Sequence, residues 1–306
     1  MRALLVVNPK ATATTPRVRD VLAHALASET KLDVVETDAR GHATELARQA
    51  AVDGLDLVVA LGGDGTVNEV VNGLLADGPV AGLPALAVVP GGSTNVFARA
   101  LGLPADPVEA TGDLLEALRA DRRRTIGLAR ADERWFTFCA GLGLDATVVR
   151  RTDRRRSDGR VARPALFVTE AVTEFVTGTD RRRPALTLSR PGAPDEQLGL
   201  ALVCNADPWT YFGDRPVRPC PRASFETGLD VFGLRKLGLG TTLRYVRRIL
   251  SRNPRLRGRR VLSLHDVGEF TLTADQPLPF QVDGDDLGDR TSVTFRAVPR
   301  ALSLLV

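Results

Sequence analysis

The first third of the chain alternates short apolar runs with segments of helical periodicity. Leu55–Leu61 and Leu83–Val89 are nearly all apolar, which is typical of strands in a sheet covered on both faces. Pro16–Ser28 instead repeats its apolar residues at helical spacing and begins with a proline, which a first helical turn accepts. Strands that alternate with helices predict a mostly parallel sheet with crossover helices. The predicted strands are 2–7, 32–36, 55–61 and 83–89, and the predicted helices are 16–28, 42–51, 66–75 and 107–120.

After about residue 124 the strands follow one another, which predicts an antiparallel, β-rich second domain. Its predicted strands are 125–130, 135–141, 185–189, 198–205, 229–234, 261–264, 270–274 and 292–298, with helices at 163–177 and 240–252. We therefore predict an α/β domain of residues 1–124 and a β-rich domain of residues 125–299. The apolar end, residues 300–306, is expected to return to the first domain as an edge strand. Because no low-complexity linker separates the domains, we expect a cleft between them.

Composition narrows the classes of protein. The chain has 306 residues, of which 43% are hydrophobic, enough to build a sizeable core. Its three cysteines include no CxxC pair, so a disulfide framework is not expected and a reducing cytoplasm fits best. The first residues resemble a β-strand more than a signal peptide. No apolar run reaches the length of a membrane span, so any membrane contact is expected to be peripheral.

The positive charge is nearly all arginine, and it is clustered. The clusters are 122–124, 150–156, 181–183 and 244–260. They could face anionic lipid or nucleic acid, or form ordinary solvated surface. Thr241–Leu250 sets apolar residues against arginines at helical spacing. This stretch could dock on a membrane or pack on the second domain's own sheet, and the sequence leaves both open.

The strongest chemical signal is the turn Gly62-Gly63-Asp64-Gly65-Thr66, between a buried strand and a helix. Three glycines in four positions let the backbone turn sharply and bring its N–H groups close to phosphate oxygens. The turn is neither a Walker loop nor a complete dinucleotide fingerprint. A tight turn without a ligand is the alternative, but Asp64 suggests a phosphate site linked to a metal ion.

Two further polar turns follow neighbouring strands. One is Pro90-Gly91-Gly92-Ser93-Thr94-Asn95, and the other is Asn8-Pro9 after the first strand. Ligands of open α/β sheets bind in the crevice outside the carboxyl ends of the strands, so turns that converge there favour a ligand site. Asn8 could hold the neighbouring loops or touch a nucleotide, although Asn-Pro is also a common strand terminator.

These segments, in their order and spacing, resemble the diacylglycerol kinase catalytic domain superfamily, which also includes sphingosine kinases and bacterial lipid kinases. In the second domain, Gly141–Asp145 is similar to the family's glycine-rich segment. Ala223–Asp230 is similar to its acidic region, where a structural magnesium can bind, and Asp283-Gly284-Asp285 lies where the family has Asp-Gly-Glu. The chain departs from the family at Thr94 and Val96, at Glu226, where aspartate is usual, and at Asp285, whose carboxylate is one methylene shorter.

The resemblance implies a fold with an α/β nucleotide domain, like those of phosphofructokinases and NAD kinases, followed by a β-rich, sandwich-like domain. It also implies an ATP- and Mg²⁺-dependent lipid kinase that transfers the γ-phosphate to a lipid hydroxyl, diacylglycerol above all, at the membrane surface. Asp285 is the implied base and Asp64 acts through Mg²⁺. The implied ATP-binding residues are Asn8, Gly62, Gly63, Gly65, Thr66, Gly91, Gly92, Ser93 and Asn95, and the implied further metal ligands are Glu226, Asp230 and Asp283.

Several functional alternatives stay open at this point. NAD kinases share the Gly-Gly-Asp-Gly turn, but this chain has no counterpart of their second signature. A sphingoid-base kinase would use the same motifs. A non-catalytic scaffold for anionic lipid is a third possibility, against which the retained Asp64 and Asp285 speak. We expect a cytoplasmic protein associated peripherally with membranes, without a nucleic-acid partner, and a homodimer through edge strands stays open.

Overall fold

A computed structural model describes residues 1–157, 185–251, 254 and 256–306. The predicted helix at 163–177 and the arginines at 181–183 lie outside the described residues. The chain forms two compact units. The first contains Met1–Leu128 and Pro299–Val306, and the second contains Ala129–Val298. The units divide a few residues after the sequence-based boundary at residue 124.

The first unit has a parallel sheet in the order β4-β3-β1-β2. Its strands are β1 (Arg2–Val7), β2 (Lys31–Glu36), β3 (Leu57–Gly62) and β4 (Ala85–Pro90). The end of the last strand of the chain, β16 (Asp285–Leu305), adds to β4 in parallel, with Leu304 opposite Leu86. Because β3 and β4 are buried at every position, their sequences read as continuous apolar runs.

Five helices belong to the first unit: α1 (Pro16–Ala27), α2 (His42–Val52), α3 (Asp64–Leu74), α4 (Val96–Ala100) and α5 (Pro107–Ala120). Two of them begin in the same way. The Thr15 side chain accepts from the N–H of Val18, and the Asp106 side chain accepts from two N–H groups of α5, in each case just before a proline. Apolar faces of α1 and α5 pack on the sheet in one core, in which Leu22, Leu26, Leu114 and Leu118 contact residues of β1, β3 and β4.

The second unit is antiparallel and β-rich. Its main strands are β7 (Cys139–Leu142), β10 (Leu200–Cys204), β13 (Leu229–Leu234), β14 (Val261–Val267) and β15 (Glu269–Val282), in the order β14-β13-β10-β7-β15-β16. The shorter strands are β5 (Arg123–Ala131), β6 (Arg134–Phe136), β8 (Leu186–Ser189), β9 (Glu196–Leu198), β11 (Thr210–Phe212) and β12 (Arg215–Val217). Two helices of this unit are described, α6 (Leu144–Ser157) and α7 (Leu239–Ile249).

The core of the second unit is aromatic where β15 and β16 pair. The rings of Phe270 and Phe295 stack with centroids 5.1 Å apart, and Phe136 meets Phe295 edge-on. The α/β first unit and the β-rich second unit confirm the predicted fold class. Likeness to solved structures, given below with the site, supports the same conclusion.

Three elements differ from the sequence-based predictions. Helix α6 was not predicted, since its second half is rich in arginine and lacks an apolar stripe. Strands β15 and β16 are longer than the predicted 270–274 and 292–298. Residues 288–292 of β16 are exposed and polar, so backbone pairing with β15 forms this part of the strand without an apolar pattern to reveal it.

Candidate functional site

The two glycine turns of the first unit touch each other. The N–H of Gly91 donates to the carbonyl of Gly62 at 2.8 Å, which continues the pairing of β3 and β4 one residue past the end of β4. A Cβ atom added to Gly92 would lie 2.6 Å from the Cα of Gly63, closer than side chains tolerate. The backbones can therefore approach only because both positions are glycine.

Asp64 connects the two turns. One carboxylate oxygen accepts the N–H of Val96 and the other accepts the N–H of Phe97, each at 3.0 Å. Asp64 thus opens α3 while capping α4, which follows the other turn. The side chain that the sequence assigns to Mg²⁺ is bound to backbone N–H groups here, which is a positioning role.

Asn95 closes its own turn. Its Oδ1 accepts the N–H of Gly92 and its Nδ2 donates to the carbonyl of Gly92, both at 2.8 Å. Its backbone is left-handed, with φ of 50°, a conformation that asparagine tolerates better than most residues. Ser93 stands exposed at the tip of the same turn. Of the predicted ATP-binding residues of this turn, Asn95 therefore shapes the loop while Ser93 stays accessible.

The loop after β1 joins the same place. The amide Nδ2 of Asn8 donates to the hydroxyl of Thr66 at 3.0 Å, and its Oδ1 accepts the N–H of Lys10. Further along the loop, the N–H of Ala13 donates to the carbonyl of Gly91 at 2.7 Å. Asn8 thus fastens this loop to α3, and the three predicted turns converge at the carboxyl ends of β1, β3 and β4.

Thr14 is a candidate that the sequence reasoning missed. Its hydroxyl oxygen is buried and has no hydrogen-bond partner among the described residues. A Cβ on Gly91 would lie 2.4 Å from this oxygen, so the hydroxyl lies directly against the second glycine turn. No sequence signal marks Thr14 among the neighbouring threonines of its loop.

This arrangement fits a phosphate group better than a protein-held metal ion. The first N–H groups of α3 have no partner within their own helix, and the helix dipole favours an anion at this end. Gly63, Gly65 and Gly92 are partly exposed, and the buried Thr14 hydroxyl has no partner among the described residues. Among the described residues, no group of three or more His, Cys, Asp or Glu could hold a metal ion.

In the second unit, Asp283 and Gly284 form a two-residue turn between β15 and β16. Both have positive φ, 49° and 85°, as a type I′ hairpin requires. The Asp283 carboxylate is buried and accepts four hydrogen bonds between 2.7 and 3.1 Å, from Thr137, Phe138 and Cys139. Its oxygens bind N–H and O–H donors and thereby fix the hairpin, while its role as a metal ligand stays a prediction.

Asp285 is the first residue of β16, opposite Val282, and is half-buried. Gln281, two residues before the turn, accepts the N–H of Gly284 at 3.0 Å with its side-chain oxygen. Its amide nitrogen donates to the carboxylate of Asp145 at 2.7 Å. Hydrogen bonds of the Asp283 and Gln281 side chains thus hold the hairpin that carries Asp285.

Asp145 is a second residue that the site prediction omitted, although it ends the quoted glycine-rich segment. It is buried, and burial raises the pKa of its carboxyl to about 7, while the hydrogen bond from Gln281 opposes this shift. A Cβ on Gly141 would lie 2.1 Å from its carboxylate, so glycine is required at that position. The pairing with Gln281 was not detectable from the sequence because it joins distant segments.

The predicted metal ligands Glu226 and Asp230 differ in burial. Asp230 is buried, and one of its oxygens lies 2.7 Å from Nδ1 of His265 and accepts the N–H of Asp266 at 3.1 Å. Burial raises the pKa of Asp230, which these contacts partly offset. Glu226 is exposed. The metal role of this pair stays a prediction.

One arginine of the predicted clusters also has a local role. Arg150 on α6 donates two hydrogen bonds to Asp286, at 2.8 and 3.0 Å, and forms a salt bridge with Asp289 at 2.6 Å. It therefore ties α6 to the start of β16. The guanidinium of Arg150 thus binds carboxylates of its own chain, in a bidentate geometry with Asp286.

The chain is similar in sequence to known lipid kinases. Residues 2–131 match the family described as the diacylglycerol kinase catalytic domain. A diacylglycerol kinase from Bacillus subtilis is 42% identical over 107 residues, 35% of this chain and 33% of the relative. A YegS-like lipid kinase from Chromohalobacter salexigens is 38% identical over 148 residues, 48% of this chain and 46% of the relative. The matched part thus spans less than half of the length of these curated relatives.

The fold is shared over the whole chain. A diacylglycerol kinase structure from Bacillus anthracis has a TM-score of 0.73 at 19% identity, covering 99% of this chain and 96% of the other. An NAD kinase from Archaeoglobus fulgidus in complex with ATP has a TM-score of 0.54 at 12% identity, covering 100% and 94%. At such identities the likeness concerns the fold alone. Residues 2–131, which include Asn8 and both glycine turns, thus match the diacylglycerol kinase catalytic domain family.

Proposed function

We propose that the protein is an ATP-dependent lipid kinase that transfers the γ-phosphate of ATP to a hydroxyl of diacylglycerol at a membrane surface. The observation that carries this proposal is the contact between the Gly62–Thr66 and Gly91–Asn95 turns at the carboxyl ends of β3 and β4. The relatives named diacylglycerol kinase and lipid kinase support the same chemistry.

In this proposal the phosphates of ATP bind where the two turns meet. No side chain covers the backbone of Gly63 and Gly92 there, and a Cβ on Gly92 would lie only 2.6 Å from the Cα of Gly63. N–H groups at the start of α3, the hydroxyl of Thr66 and the buried hydroxyl of Thr14 are the donors available to an anion. Asp64 and Asn8 hold the turns and the β1 loop in place.

Mg²⁺ enters the proposal with ATP, as part of that co-substrate. The ion neutralises charge on the phosphates during phosphoryl transfer. Magnesium commonly keeps water and phosphate ligands and needs only one or two carboxylates.

Asp285 is proposed as the group that accepts the proton of the lipid hydroxyl. A carboxylate can act as a general base when it is fixed close to the proton it takes. The hairpin meets the requirement of rigidity, since Asp283 accepts four hydrogen bonds and Gln281 accepts the N–H of Gly284. The half-buried position of Asp285 also leaves part of its side chain accessible.

A test of acceptor class uses the full chain with radiolabelled ATP and diacylglycerol, a sphingoid base or NAD, each with and without Mg²⁺. NAD is included because an NAD kinase shares the fold. We expect label in diacylglycerol and only when Mg²⁺ is present. Label in NAD, or no label in any lipid, would contradict the proposal.

The role of Asp285 is tested by Asp285→Asn, which removes the base and keeps the size of the side chain. We expect turnover to fall by about 10²- to 10⁴-fold, because the proton acceptor is lost. Nucleotide binding and the unfolding temperature should stay unchanged. Asp275→Asn on the same hairpin is the matched control, because Asp275 is exposed on β15. Normal turnover of the Asp285 variant would remove Asp285 from this role.

A further inference from the structure

Helix α7 has two unlike faces. Tyr245 and Ile249 are buried, at 5% and 8% exposure, in a core cluster of the second unit. Leu243 and Val246, three residues apart and therefore neighbours on the helix surface, are 57% and 47% exposed. Packing on its own unit thus accounts for one apolar face and leaves the other in contact with solvent.

The sequence around this face is strongly basic. From Val231 to His265 it contains ten lysines and arginines and no aspartate or glutamate. Arg244 and Arg247 are exposed on α7 itself. Within the described part of the chain, neither of them forms a salt bridge, and the same holds for Arg257 and Arg259. An apolar pair is therefore flanked by cations that form no salt bridge with the described carboxylates.

The loop after α7 adds to this surface because it is bonded to the helix. The hydroxyl of Tyr245 donates to the carbonyl of Arg257 at 3.3 Å, and the guanidinium of Arg260 donates to the hydroxyl of Thr241 at 2.6 Å. Leu256 is buried in the same cluster as Tyr245. These contacts keep residues 256–260, with their arginines, beside the helix.

We propose that this surface, formed by Leu243, Arg244, Val246 and Arg247 with Arg257 and Arg259, docks on an anionic lipid bilayer. An interfacial helix binds through apolar side chains that enter the boundary of the acyl region and through arginines that contact lipid phosphates. The exposed aliphatic pair favours a bilayer over nucleic acid, since leucine and valine offer nothing to a phosphate backbone. This docking rests on the proposed function, because a kinase for membrane lipids has to meet their bilayer.

The first test is co-sedimentation of the full chain with vesicles of phosphatidylcholine, with and without phosphatidylglycerol, in the absence of ATP. We expect binding to the anionic vesicles that weakens as salt is added. Arg244→Gln with Arg247→Gln should weaken vesicle binding about 30-fold at low salt, because the double variant loses the electrostatic binding energy of two arginines near an anionic surface. Leu243→Ser with Val246→Ser should weaken it about tenfold, because apolar burial is lost.

Matched control variants change the same residue types elsewhere. Arg48→Gln with Arg215→Gln removes two exposed arginines, and Val52→Ser with Val108→Ser removes two exposed apolar side chains. Both control pairs should bind vesicles like the unmodified chain. Unchanged binding of the α7 variants, equal losses in the controls, or arginine-dependent binding to nucleic acid without binding to vesicles would overturn the proposal.

A second measurement does not depend on loss of binding. The three native cysteines are buried, so Val246→Cys can be labelled with an environment-sensitive fluorophore. Its emission should shift to the blue with anionic vesicles, whereas the same label after Val108→Cys should not respond. No shift at position 246 would overturn insertion of this face.

Failure of docking and failure of the kinase function can be told apart. Vesicle binding is measured without turnover, so an inactive protein that binds through α7 would contradict the proposed function alone. Conversely, the α7 variants should still phosphorylate a short-chain diacylglycerol in detergent micelles at the rate of the unmodified chain. Equal loss of that activity would contradict a role confined to docking.

Discussion

At the scale of single residues, four aspartates that look alike in the sequence have different surroundings. Asp64 and Asp283 accept hydrogen bonds from backbone N–H groups, and Asp230 lies against His265. Asp145 is buried and has one side-chain donor, from Gln281. Ionised carboxylates are stabilised by several donors, and a poorly solvated one is destabilised. Burial raises the pKa of both Asp145 and Asp230, to about 7 for Asp145, so the titration of Asp145 should affect folding.

We expect Asp145 to lower stability as the pH rises. Its folded pKa, about 7, lies above the ordinary value of 3.8, because burial disfavours the charged form. Below the ordinary value both the folded and the unfolded chain carry the proton. Between about pH 4 and pH 7 the unfolded chain ionises first, so stability of roughly 4 kcal/mol is lost over that window.

Asp145→Asn removes this titration while it keeps an oxygen that can accept from Gln281. The free energy of unfolding, measured by denaturant titration at about pH 5 and about pH 8, should then fall less with pH than in the unmodified chain. Asp275→Asn, an exposed aspartate, serves as the control. If the free energy of unfolding of the Asp145 variant fell with pH as steeply as that of the unmodified chain, a raised pKa of Asp145 would be contradicted.

At the scale of elements, the first unit was largely predictable. Its helices show the helical spacing of apolar residues. Its strands β3 and β4 are covered on both faces and therefore appear in the sequence as continuous apolar runs. The glycine turns could be found because their residues are adjacent in sequence. Which groups they hold was not predictable. The bonds from Asn8 to Thr66 and from Asp64 to Val96 join residues far apart in the chain.

The hairpin at Asp283 illustrates a signal with two meanings. Asp-Gly between two strands predicts a type I′ turn as strongly as it indicates a catalytic motif. The positive φ of both residues fits the turn. The four donors around Asp283 come from residues 137–139, more than a hundred positions away, and no local pattern could have revealed them.

The contact of the two glycine turns leads to a prediction for Gly92→Ala. The added methyl would lie 2.6 Å from the Cα of Gly63, which is backbone and cannot rotate away. We expect the two turns to separate, with stability lowered by about 1–3 kcal/mol. Affinity for ATP should fall as well, by calorimetric titration, since the proposed phosphate site consists of these turns.

Gly112→Ala is the matched control. Gly112 lies within α5, and nothing lies within 4 Å of the Cβ that alanine would add. This change should raise stability by about 0.5–1 kcal/mol, because alanine favours a helix interior, and should leave ATP binding unchanged. If Gly92→Ala behaved like Gly112→Ala, the close approach of the two turns would not govern the site.

At the scale of the whole molecule, the first unit is built from both ends of the chain. The apolar character of residues 300–306 indicated a strand, since it could be read from the sequence alone. The partner strand was not indicated, because Leu304 is paired with Leu86, which lies over two hundred residues earlier.

In the described part of the chain, no helix is long and apolar enough to cross a membrane.

The two units can be followed separately in solution. Both tryptophans, Trp135 and Trp209, and both tyrosines, Tyr211 and Tyr245, belong to the second unit. Intrinsic fluorescence therefore reports on the second unit alone. Binding of a fluorescent ATP analogue, through the proposed phosphate site, reports on the first unit.

Leu304→Ala should destabilise the first unit selectively. Leu304 is 1% exposed, and removal of a buried leucine side chain costs about 2–5 kcal/mol in transfer and cavity terms. We expect the ATP analogue to be released at a lower denaturant concentration, with a smaller change in the tryptophan transition. Ser303→Ala, the adjacent and partly exposed position of the same strand, should shift neither signal. A shift of the tryptophan transition as large as that of analogue release would contradict the placement of Leu304 in the first unit's core, because the loss would then reach the second unit equally.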